Sequence, residues 1–325
     1  MIEAILGIDV SKKDLSIALF LKGSFKKRKV PNNLNGFKEL TDWLKKEQIT
    51  RVKACLEATG RYGEEVSDYL YNQGHQVHVV NPLCIKASAK SKLSRHKTDD
   101  VDALLIAEYA SKNDLRLYHP KDPVFKKLQG LYHCLQSLKD QKTQYINFLE
   151  NESCLPKSMR NIYTTLKEQI EGQIQAVEEA LDRLVASHDG LKRDCENIQT
   201  VPGLGKMTAI AILAQVPDLS TFENARQLAA YAGLTPCHKI SGTSVKGRAR
   251  LSKIGPSSLR KSLYFPAIVA KNHNPILKDF AQRMAKKGKH SMVIIGAIMR
   301  KLLHIVFGIV KHKKPFNPYL LQNIT

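Results

Sequence analysis

Cysteine is scarce in this sequence, and its spacing excludes two common kinds of site. The 325 residues include six cysteines, at positions 55, 84, 134, 154, 195 and 237. No two form a C-x-x-C pair, and no histidines stand at zinc-finger spacing, so neither a structural zinc site nor a disulfide scaffold is expected. We therefore expect reduced structural thiols in a cytosolic protein.

A secretory leader and an unbroken membrane-spanning run are also missing. The first apolar run contains Glu3, which is atypical of a signal peptide. The most apolar late stretch, 292–310, is interrupted by Arg300, Lys301 and His304, which favours an amphipathic or buried helix. The sequence thus predicts a soluble protein of the bacterial cytoplasm with no membrane partner.

Acidic residues are almost absent from one long stretch of a strongly basic chain. The formal net charge is +21, and residues 237–301 hold fifteen Lys or Arg against Asp279 alone, 15 − 1 = +14. Such one-sided charge favours a polyanion, and nucleic acid above an acidic membrane. The predicted nucleic-acid contacts are Lys26, Lys27, Arg28, Lys29, Gly203, Gly205, Lys206, Lys246, Arg248, Arg250, Lys253, Arg260, Lys261, Lys286, Lys287 and Lys289.

Four carboxylates lie where a metal-dependent phosphodiester enzyme needs them. Asp9 and Glu57 each end an apolar strand-like run, and Asp99 and Asp102 are three residues apart at a predicted helix start. Gathered carboxylates repel one another, so protons or hard cations must neutralise them. Divalent cations also polarise phosphate, so the set predicts a Mg²⁺ site.

The case for that site depends on the whole set, because a single acid at a strand end is more often a turn or cap residue. Asp100 adjoins Asp99 but points about 100° away from it on a helix, so we predict that Asp100 is not a ligand.

Residues 1–120 alternate strand and helix patterns. Strands are predicted near 3–9, 15–21, 25–30, 52–57 and 76–80, and helices near 35–47, 62–73, 83–89 and 99–112. Three early strands followed by alternating helices and strands predict a mixed sheet covered by helices. This order matches the ribonuclease-H-like fold, in which metal carboxylates lie at the ends of the first and fourth strands and on a late helix.

The sequence pattern predicts a helical middle region over residues 121–197. Two apolar stripes, the second at heptad spacing, consist of Leu128, Leu131, Leu135 and Leu138, and of Ile170, Ile174, Val177, Leu181 and Leu184. Leu155-Pro156 between them should break the helix. The pattern fits an intramolecular helical hairpin and an oligomerisation arm equally well.

Residues 198–325 read as a mainly α domain of short helices separated by glycines. Residues 201–209 resemble a helix-hairpin-helix element, in which Gly203 and Gly205 would let backbone N–H groups approach a phosphate. The basic loop 240–250 offers three hydroxyls, Ser241, Thr243 and Ser244. A hydroxyl becomes a nucleophile only when a base or metal removes its proton, and nothing local ranks the three.

Several segments together resemble one family. They are Gly7-Ile8-Asp9, Leu56-Glu57-Ala58-Thr59-Gly60, Val80-Asn81-Pro82, Lys97-Thr98-Asp99-Asp100-Val101-Asp102-Ala103, Pro202-Gly203-Leu204-Gly205, and Tyr231-Ala232-Gly233-Leu234-Thr235-Pro236 followed by Ser241-Gly242. In this order they are similar to the DEDD-type insertion-sequence transposases, which include bridge-RNA-guided recombinases and are related to pilin-gene invertases. The resemblance covers essentially the whole chain.

This resemblance implies a RuvC-like catalytic domain over 1–120, with Asp9, Glu57, Asp99 and Asp102 as Mg²⁺ ligands. It implies a coiled-coil oligomerisation region over 121–197 and a transposase domain over 198–325, with Ser241 at the position of the family's nucleophilic serine. In the family, serine forms a covalent phosphoserine with DNA at a site composed from different subunits. A structured guide RNA pairs with donor and target DNA, and the expected assembly is a dimer or a tetramer.

Two other functions fit the same residues. A hydrolytic, junction-resolving nuclease would use the carboxylates with water and would need no serine. An architectural DNA- or RNA-binding protein would use the acids only as strand caps.

Overall fold

The computed structural model describes residues 4–58, 60–91, 99–150, 156–216, 218–237, 240–241, 245–246 and 250–319. The chain forms two compact units, Met1–Pro120 and Lys121–Thr325. The predicted boundary between 121–197 and 198–325 stays a prediction, and one helix, Asp189–Gln199, spans it.

The first unit is built on a five-stranded mixed sheet of order β3-β2-β1-β4-β5. Its strands are β1 (Ile5–Val10), β2 (Asp14–Leu21), β3 (Ser24–Pro31), β4 (Lys53–Glu57) and β5 (Gln76–Val80). Strands β1, β2 and β3 pair antiparallel, whereas β1, β4 and β5 pair parallel. This mixed sheet agrees with the predicted ribonuclease-H-like order.

Helices cover both faces of this sheet. They are α1 (Leu34–Lys46), α2 (Glu64–Asn72), α3 (Pro82–Ser91) and α4 (Asp99–Lys112), with a 3₁₀ turn at Gly60–Gly63 before α2. One core joins α1 and α2 to alternate strand residues such as Leu6, Ile8 and Leu56. The other joins α4 to the residues between them, Ile5 and Cys55 among them. The sheet is therefore the middle of three layers, as period-two strands buried on both faces require.

The second unit is mainly helical. Its helices are α5 (Pro123–Glu150), α6 (Lys157–Ala186), α7 (Asp189–Gln199), α8 (Lys206–Gln215), α9 (Ala225–Tyr231), α10 (Ser257–His273), α11 (Pro275–Lys286) and α12 (Ser291–His312). Two-residue strands pair β6 (Pro236–Cys237) with β9 (Arg250–Leu251) and β7 (Ile240–Ser241) with β8 (Val245–Lys246). The prediction of short helices after residue 198 was wrong for α10 and α12, which have 17 and 22 residues.

Helix α12 illustrates why a long apolar helix need not cross a membrane. Its length and composition satisfy the criteria for a span. However, apolar residues from Ile294 to Val310 are buried in the core of the second unit with α7, α9 and α10. A buried core helix therefore accounts for its hydrophobicity.

Helices α5 and α6 form an antiparallel hairpin within the chain. Ion pairs of 2.8 Å join Lys139 to Glu178 and Lys142 to Glu171, and the rings of Phe148 and Tyr163 stack with centroids 5.1 Å apart. Of the predicted stripes, Leu128, Leu135, Ile170, Leu181 and Leu184 are buried. Leu155, predicted to help break the helix, lies outside the described residues, and α6 begins directly after Pro156. The intramolecular pairing is thus present, and a role in oligomerisation stays a prediction.

A buried acid ties the end of α12 to α7. Asp194 is almost fully buried, and Lys313 Nζ lies 3.0 and 3.2 Å from its two carboxylate oxygens. Lys313 ends α12 in the left-handed region, at φ 54°, and the Phe316 amide donates to Thr200 Oγ1 at 2.8 Å. An ion pair and a hydrogen bond therefore hold the segment after α12 against α7.

We expect Lys313→Met to lower the free energy of unfolding by about 1–2 kcal/mol, because it leaves a buried carboxylate without its cation. The half-exposed lysine keeps the loss below that of a fully buried pair. Chemical denaturation of the full chain measures the change. Lys314→Met, at the exposed neighbouring residue, is the matched control and should change stability by less than about 0.5 kcal/mol. Equal effects in the two variants would contradict a role for the Asp194 ion pair.

Candidate active site

Asp9 and Glu57 lie side by side at the carboxyl ends of adjacent parallel strands. The register pairs Gly7 with Cys55 and Ile8 with Leu56, so Asp9 and Glu57 are the next residues of β1 and β4. Neighbouring strands are about 4.8 Å apart. The Ala58 amide donates to the Val80 carbonyl at 2.8 Å and continues the β4–β5 pairing past Glu57. The two acids are thus held on paired backbone.

The same alternation places both acids on the face covered by α4. Ile5 and Cys55 belong to the core on the α4 face, whereas Leu6, Ile8 and Leu56 belong to the core on the other face. Side chains alternate along a strand, so Asp9 shares a face with Ile5 and Gly7, and Glu57 shares it with Cys55. Both acids are half-buried.

Gly7 brings the backbone of α4 directly onto β1. A Cβ built at Gly7 would collide with the Ala103 carbonyl oxygen and would lie 2.5 Å from the Ala107 nitrogen. Asp102 is the residue before Ala103, and Asp9 is two residues, about 7 Å, beyond Gly7. The crossing of β1 and α4 therefore lies close to both acids, and only glycine permits it.

Positions 99 and 102 lie at the amino-terminal end of this sheet-facing side of α4. Position 99 lies four residues, about one helical turn, before the buried Ala103, and position 102 lies four residues before the buried Ile106. Asp102 is half-buried. The backbone of Asp99 begins α4, and its side chain lies outside the described part of the structure. The helix therefore presents an Asp-x-x-Asp pair of positions toward the sheet, with Asp100 between them.

The donor atoms of this region suit a hard divalent cation. Carboxylate oxygens are the ligands that Mg²⁺ prefers. Among the described side chains, which exclude that of Asp99, no three Asp, Glu, His or Cys residues already converge on one point. Nearby, burial raises the pKa of the Cys55 thiol to about 12 despite the opposing charge of Lys53, so this cysteine stays protonated. The carboxylates are the candidate ligands.

Ser241 lies in the second unit, in the two-residue strand β7. Its backbone pairs with Val245 of β8, and its side chain lies outside the described part of the structure. Thr243, Ser244 and Arg248 lie outside the described residues, as do the side chains of Ser241 and Lys246. Cys237 in β6, four residues before Ser241, pairs with Arg250 in β9. The pair β6–β9 is therefore the described base of the serine-bearing loop.

Many of the predicted nucleic-acid contacts lie in ion pairs. Lys26 contacts Glu47, the residue that follows α1, and Arg28 contacts Glu39 on α1. The Arg28 guanidinium also lies 5.8 Å from the Trp43 ring centroid. Further pairs among the described residues join Lys29 to Asp14 at 3.4 Å, Lys206 to Asp182 at 2.6 Å and Lys261 to Asp140 at 3.2 Å. Local acids therefore offset part of the basic surface. Lys253, Lys286, Lys287 and Lys289, together with Arg250, are exposed.

The structure gives Gly203 a packing role. Gly203 has a φ of +104°, and a Cβ there would lie 2.8 Å from both the nitrogen and the Cβ of Ala270 on α10. The close approach of the turn between α7 and α8 to α10 accounts for this glycine without any phosphate. Gly205 differs, because it precedes α8 in open space with an extended backbone.

The predicted nucleic-acid contacts do not include a cluster of basic side chains on α9, α11 and α12. It consists of Arg226, Arg283, Arg300, Lys301 and His304. Burial, together with the charge of Arg283, lowers the pKa of Lys301. Burial and the charges of Arg300, Lys301 and Arg226 lower the pKa of His304. Within the part of the chain that the structure describes, no ion pair joins these five to an acid. We call them the α12 basic cluster.

The sequence alone could have predicted only the part of this cluster that lies on α12. Arg300, Lys301 and His304 share one side of a helix at three- and four-residue spacing, which the pattern of α12 shows. Arg226 and Arg283 lie on other helices, and only the tertiary fold brings them to α12.

Two family models match this chain. The DEDD transposase model of IS110 type matches residues 6–155. The model described as transposase IS116/IS110/IS902 family matches residues 195–282, which include Ser241.

Curated relatives extend over nearly the whole chain. A pilin gene-inverting protein of Moraxella bovis is 32% identical over 320 residues, 98% of each chain. A transposase for insertion sequence element IS1111A of Coxiella burnetii is 26% identical over 230 residues, covering 62% of this chain and 61% of that one. Among solved structures, T. thermophilus RuvC with a Holliday junction substrate matches 36% of this chain and 99% of its own, at 13% identity. Its TM-score of 0.26 is too low to establish a shared fold.

Proposed function

This chain belongs to the DEDD transposases of the IS110/IS116/IS902 family and is a DNA recombinase, and we propose that it cuts and rejoins DNA through a 5′-phosphoserine at Ser241. Four carboxylates, Asp9, Glu57, Asp99 and Asp102, would hold Mg²⁺ at the same phosphate. A structured guide RNA would select the donor and target DNA by base pairing.

One observation carries the metal part of this proposal. Asp9 and Glu57 end adjacent parallel strands on the face that α4 covers, and α4 brings Asp102 to its crossing with β1 at Gly7. Carboxylates gathered in one region repel one another, and a hard divalent cation would offset that repulsion. When bound there, Mg²⁺ would neutralise charge on the phosphate and on the oxygens that exchange at phosphorus.

The serine step exchanges one phosphodiester for another. The Ser241 hydroxyl oxygen would bond to phosphorus while the bond from phosphorus to the 3′ oxygen of DNA breaks. The serine proton leaves through a base, and a proton ends on the released 3′ hydroxyl. Because a phosphodiester persists on serine, the 3′ hydroxyl of another strand can attack it and rejoin DNA without an outside energy source. This retained bond separates the proposed recombination from hydrolysis.

The α12 basic cluster supports a nucleic-acid partner. Burial first, and neighbouring positive charges second, lower the pKa values of Lys301 and His304, so positive charge is concentrated around these two side chains. Phosphates placed beside them would offset this charge, and the released counterions would favour binding at low salt. DNA and a guide RNA both supply such phosphates.

The tip of the α5–α6 hairpin supports self-association. Phe148, Met159 and Ile162 are about half exposed there. Exposed apolar side chains grouped at the end of a helical hairpin suit burial against another subunit. We propose that the chain assembles as a dimer or a tetramer in the cytosol, with composite sites built from the acids of one protomer and Ser241 of its partner.

Replacing Ser241 by alanine tests the proposed function. Wild-type protein with element-end DNA, Mg²⁺ and co-purifying RNA should give a protein–DNA adduct that survives denaturation. Ser241→Ala should lower adduct formation at least about 10³-fold, since the attacking oxygen is removed. Denaturing electrophoresis of labelled DNA measures it. Ser258→Ala, at an exposed serine of α10, is the matched control and should give the wild-type amount.

Two outcomes would overturn this mechanism. Free nicked DNA at equal rates in wild type and Ser241→Ala would establish a hydrolytic nuclease that needs no serine. Binding of DNA by the wild type without any strand breakage would leave only an architectural role.

A further inference from the structure

Two backbone segments lie side by side at the base of the serine-bearing loop. The Ser252 amide donates to the Thr235 carbonyl at 2.9 Å, and the Lys253 amide donates to the Gly233 carbonyl at 3.0 Å. The β6–β9 pairing continues this ladder toward the loop. A contact that holds these two segments together therefore also fixes both ends of the loop 237–250, which contains Ser241.

Arg260 connects both segments through a single nitrogen. From the first half of α10, its Nη1 donates to the Gly255 carbonyl at 2.9 Å and to the Ala232 carbonyl at 3.1 Å, with Pro256 at 3.4 Å. Ala232 belongs to the segment before the loop, and Gly255 and Pro256 to the segment after it. A guanidinium stays charged at any physiological pH, so these donors are permanent.

Two glycines allow the segments to come this close. A Cβ at Gly233 would lie 2.8 Å from Arg260 Nη1 and 2.9 Å from the Ile254 carbonyl oxygen. A Cβ at Gly255 would collide with the Tyr231 carbonyl oxygen. Both glycines have positive φ, +69° and +140°, which other residues rarely adopt. We call Ala232, Gly233, Gly255, Pro256 and Arg260 the loop clamp.

We propose that Arg260 is a positioning residue for Ser241 and makes no phosphate contact, contrary to its predicted role as a nucleic-acid contact. This inference rests on the proposed nucleophilic role of Ser241. Arg260 is partly buried, and its Nη1 donates to three backbone carbonyls that lie on both sides of the loop, so the side chain is directed toward the protein backbone. An attacking oxygen must be placed accurately, and a shift of about 1 Å can cost about 100-fold in rate.

Arg260→Gln separates the two roles. If Arg260 positions the loop, the rate of adduct formation at saturating DNA should fall about 100-fold. The DNA concentration for half-saturation and the salt slope of binding should match the wild type. A lost phosphate contact would instead weaken binding and lower the salt slope by about 1. Arg193→Gln, the same change at an exposed arginine of α7, should leave the adduct rate and the binding unchanged.

A second variant keeps the test decisive if glutamine lowers the melting temperature. Arg260→Lys keeps the positive charge, but its side chain is one bond shorter and ends in an ammonium. A positioning role predicts that lysine reproduces the slow adduct formation with wild-type binding. Adduct formation by Arg260→Lys at the wild-type rate would overturn the proposal.

Failure of this inference is distinguishable from failure of the proposed function. A wild-type adduct that is lost in Ser241→Ala establishes the serine chemistry by itself. Given that result, a normal adduct rate in the Arg260 variants contradicts only the positioning role. Absence of an adduct from the wild type would overturn both.

Discussion

Asp9→Asn should abolish strand cleavage while DNA and RNA binding persist. The change replaces one carboxylate oxygen with an amide nitrogen and removes the negative charge that would hold the proposed cation beside Glu57. Loss of a metal ligand removes several kcal/mol of transition-state stabilisation, so the cleavage rate should fall by about 10³-fold or more. Single-turnover cleavage of element-end DNA measures the rate, and calorimetric titration with Mg²⁺ should show that metal binding is lost.

Asp42→Asn is the matched control for this variant. Asp42 lies on α1, exposed, with an i,i+3 ion pair of 3.6 Å to Lys45. The same loss of charge there should leave cleavage and Mg²⁺ binding at wild-type levels. Full cleavage activity in Asp9→Asn would refute the metal-site assignment, whereas equal losses in both variants would indicate a general effect of net charge on nucleic-acid binding.

The arrangement of the first unit was largely predictable because its signals are local. Apolar runs end at Asp9 and Glu57, and parallel strands place their carboxyl ends at one edge, so the pairing of these acids follows from strand order. The predicted strands and helices correspond to β1–β5 and α1–α4. Helical spacing predicted that Asp99 and Asp102 share one side of α4, and the structure adds that this side faces the sheet, since Ile106 one turn after Asp102 is buried.

The role of single basic residues could not be predicted in the same way. Lys206 contacts Asp182, and Arg260 contacts Ala232. Each partner is more than twenty residues distant in the chain, and composition gives no hint of it. A count of positive charges identifies a basic stretch, but only the tertiary structure shows which cations are paired, which support the backbone and which gather without an acid, as at the α12 basic cluster.

Gly7→Ala should destabilise the first unit and disturb the acid site at once. The added methyl would meet the Ala103 carbonyl oxygen and the Ala107 nitrogen, which are backbone atoms of α4 and cannot rotate away. Relief requires α4 to move off β1, so we expect a loss of about 3 kcal/mol or more, at the upper end of the cost of overpacking. Thermal and chemical unfolding of the full chain measure the loss.

Gly172→Ala is the same chemical change, but we expect it to stabilise the protein rather than destabilise it. Gly172 lies inside α6 with no atom near its absent Cβ, so alanine should stabilise that helix by up to about 1 kcal/mol. If Gly7→Ala is tolerated, α4 does not approach β1 as closely as the structure shows, and the placement of Asp102 beside Asp9 loses its support. If a folded fraction of Gly7→Ala remains, its Mg²⁺ affinity should be reduced. The displaced helix carries Asp99 and Asp102, whereas Asp9 and Glu57 stay on the sheet. The stability of this unit and the assembly of its proposed metal site therefore depend on the same missing methyl group.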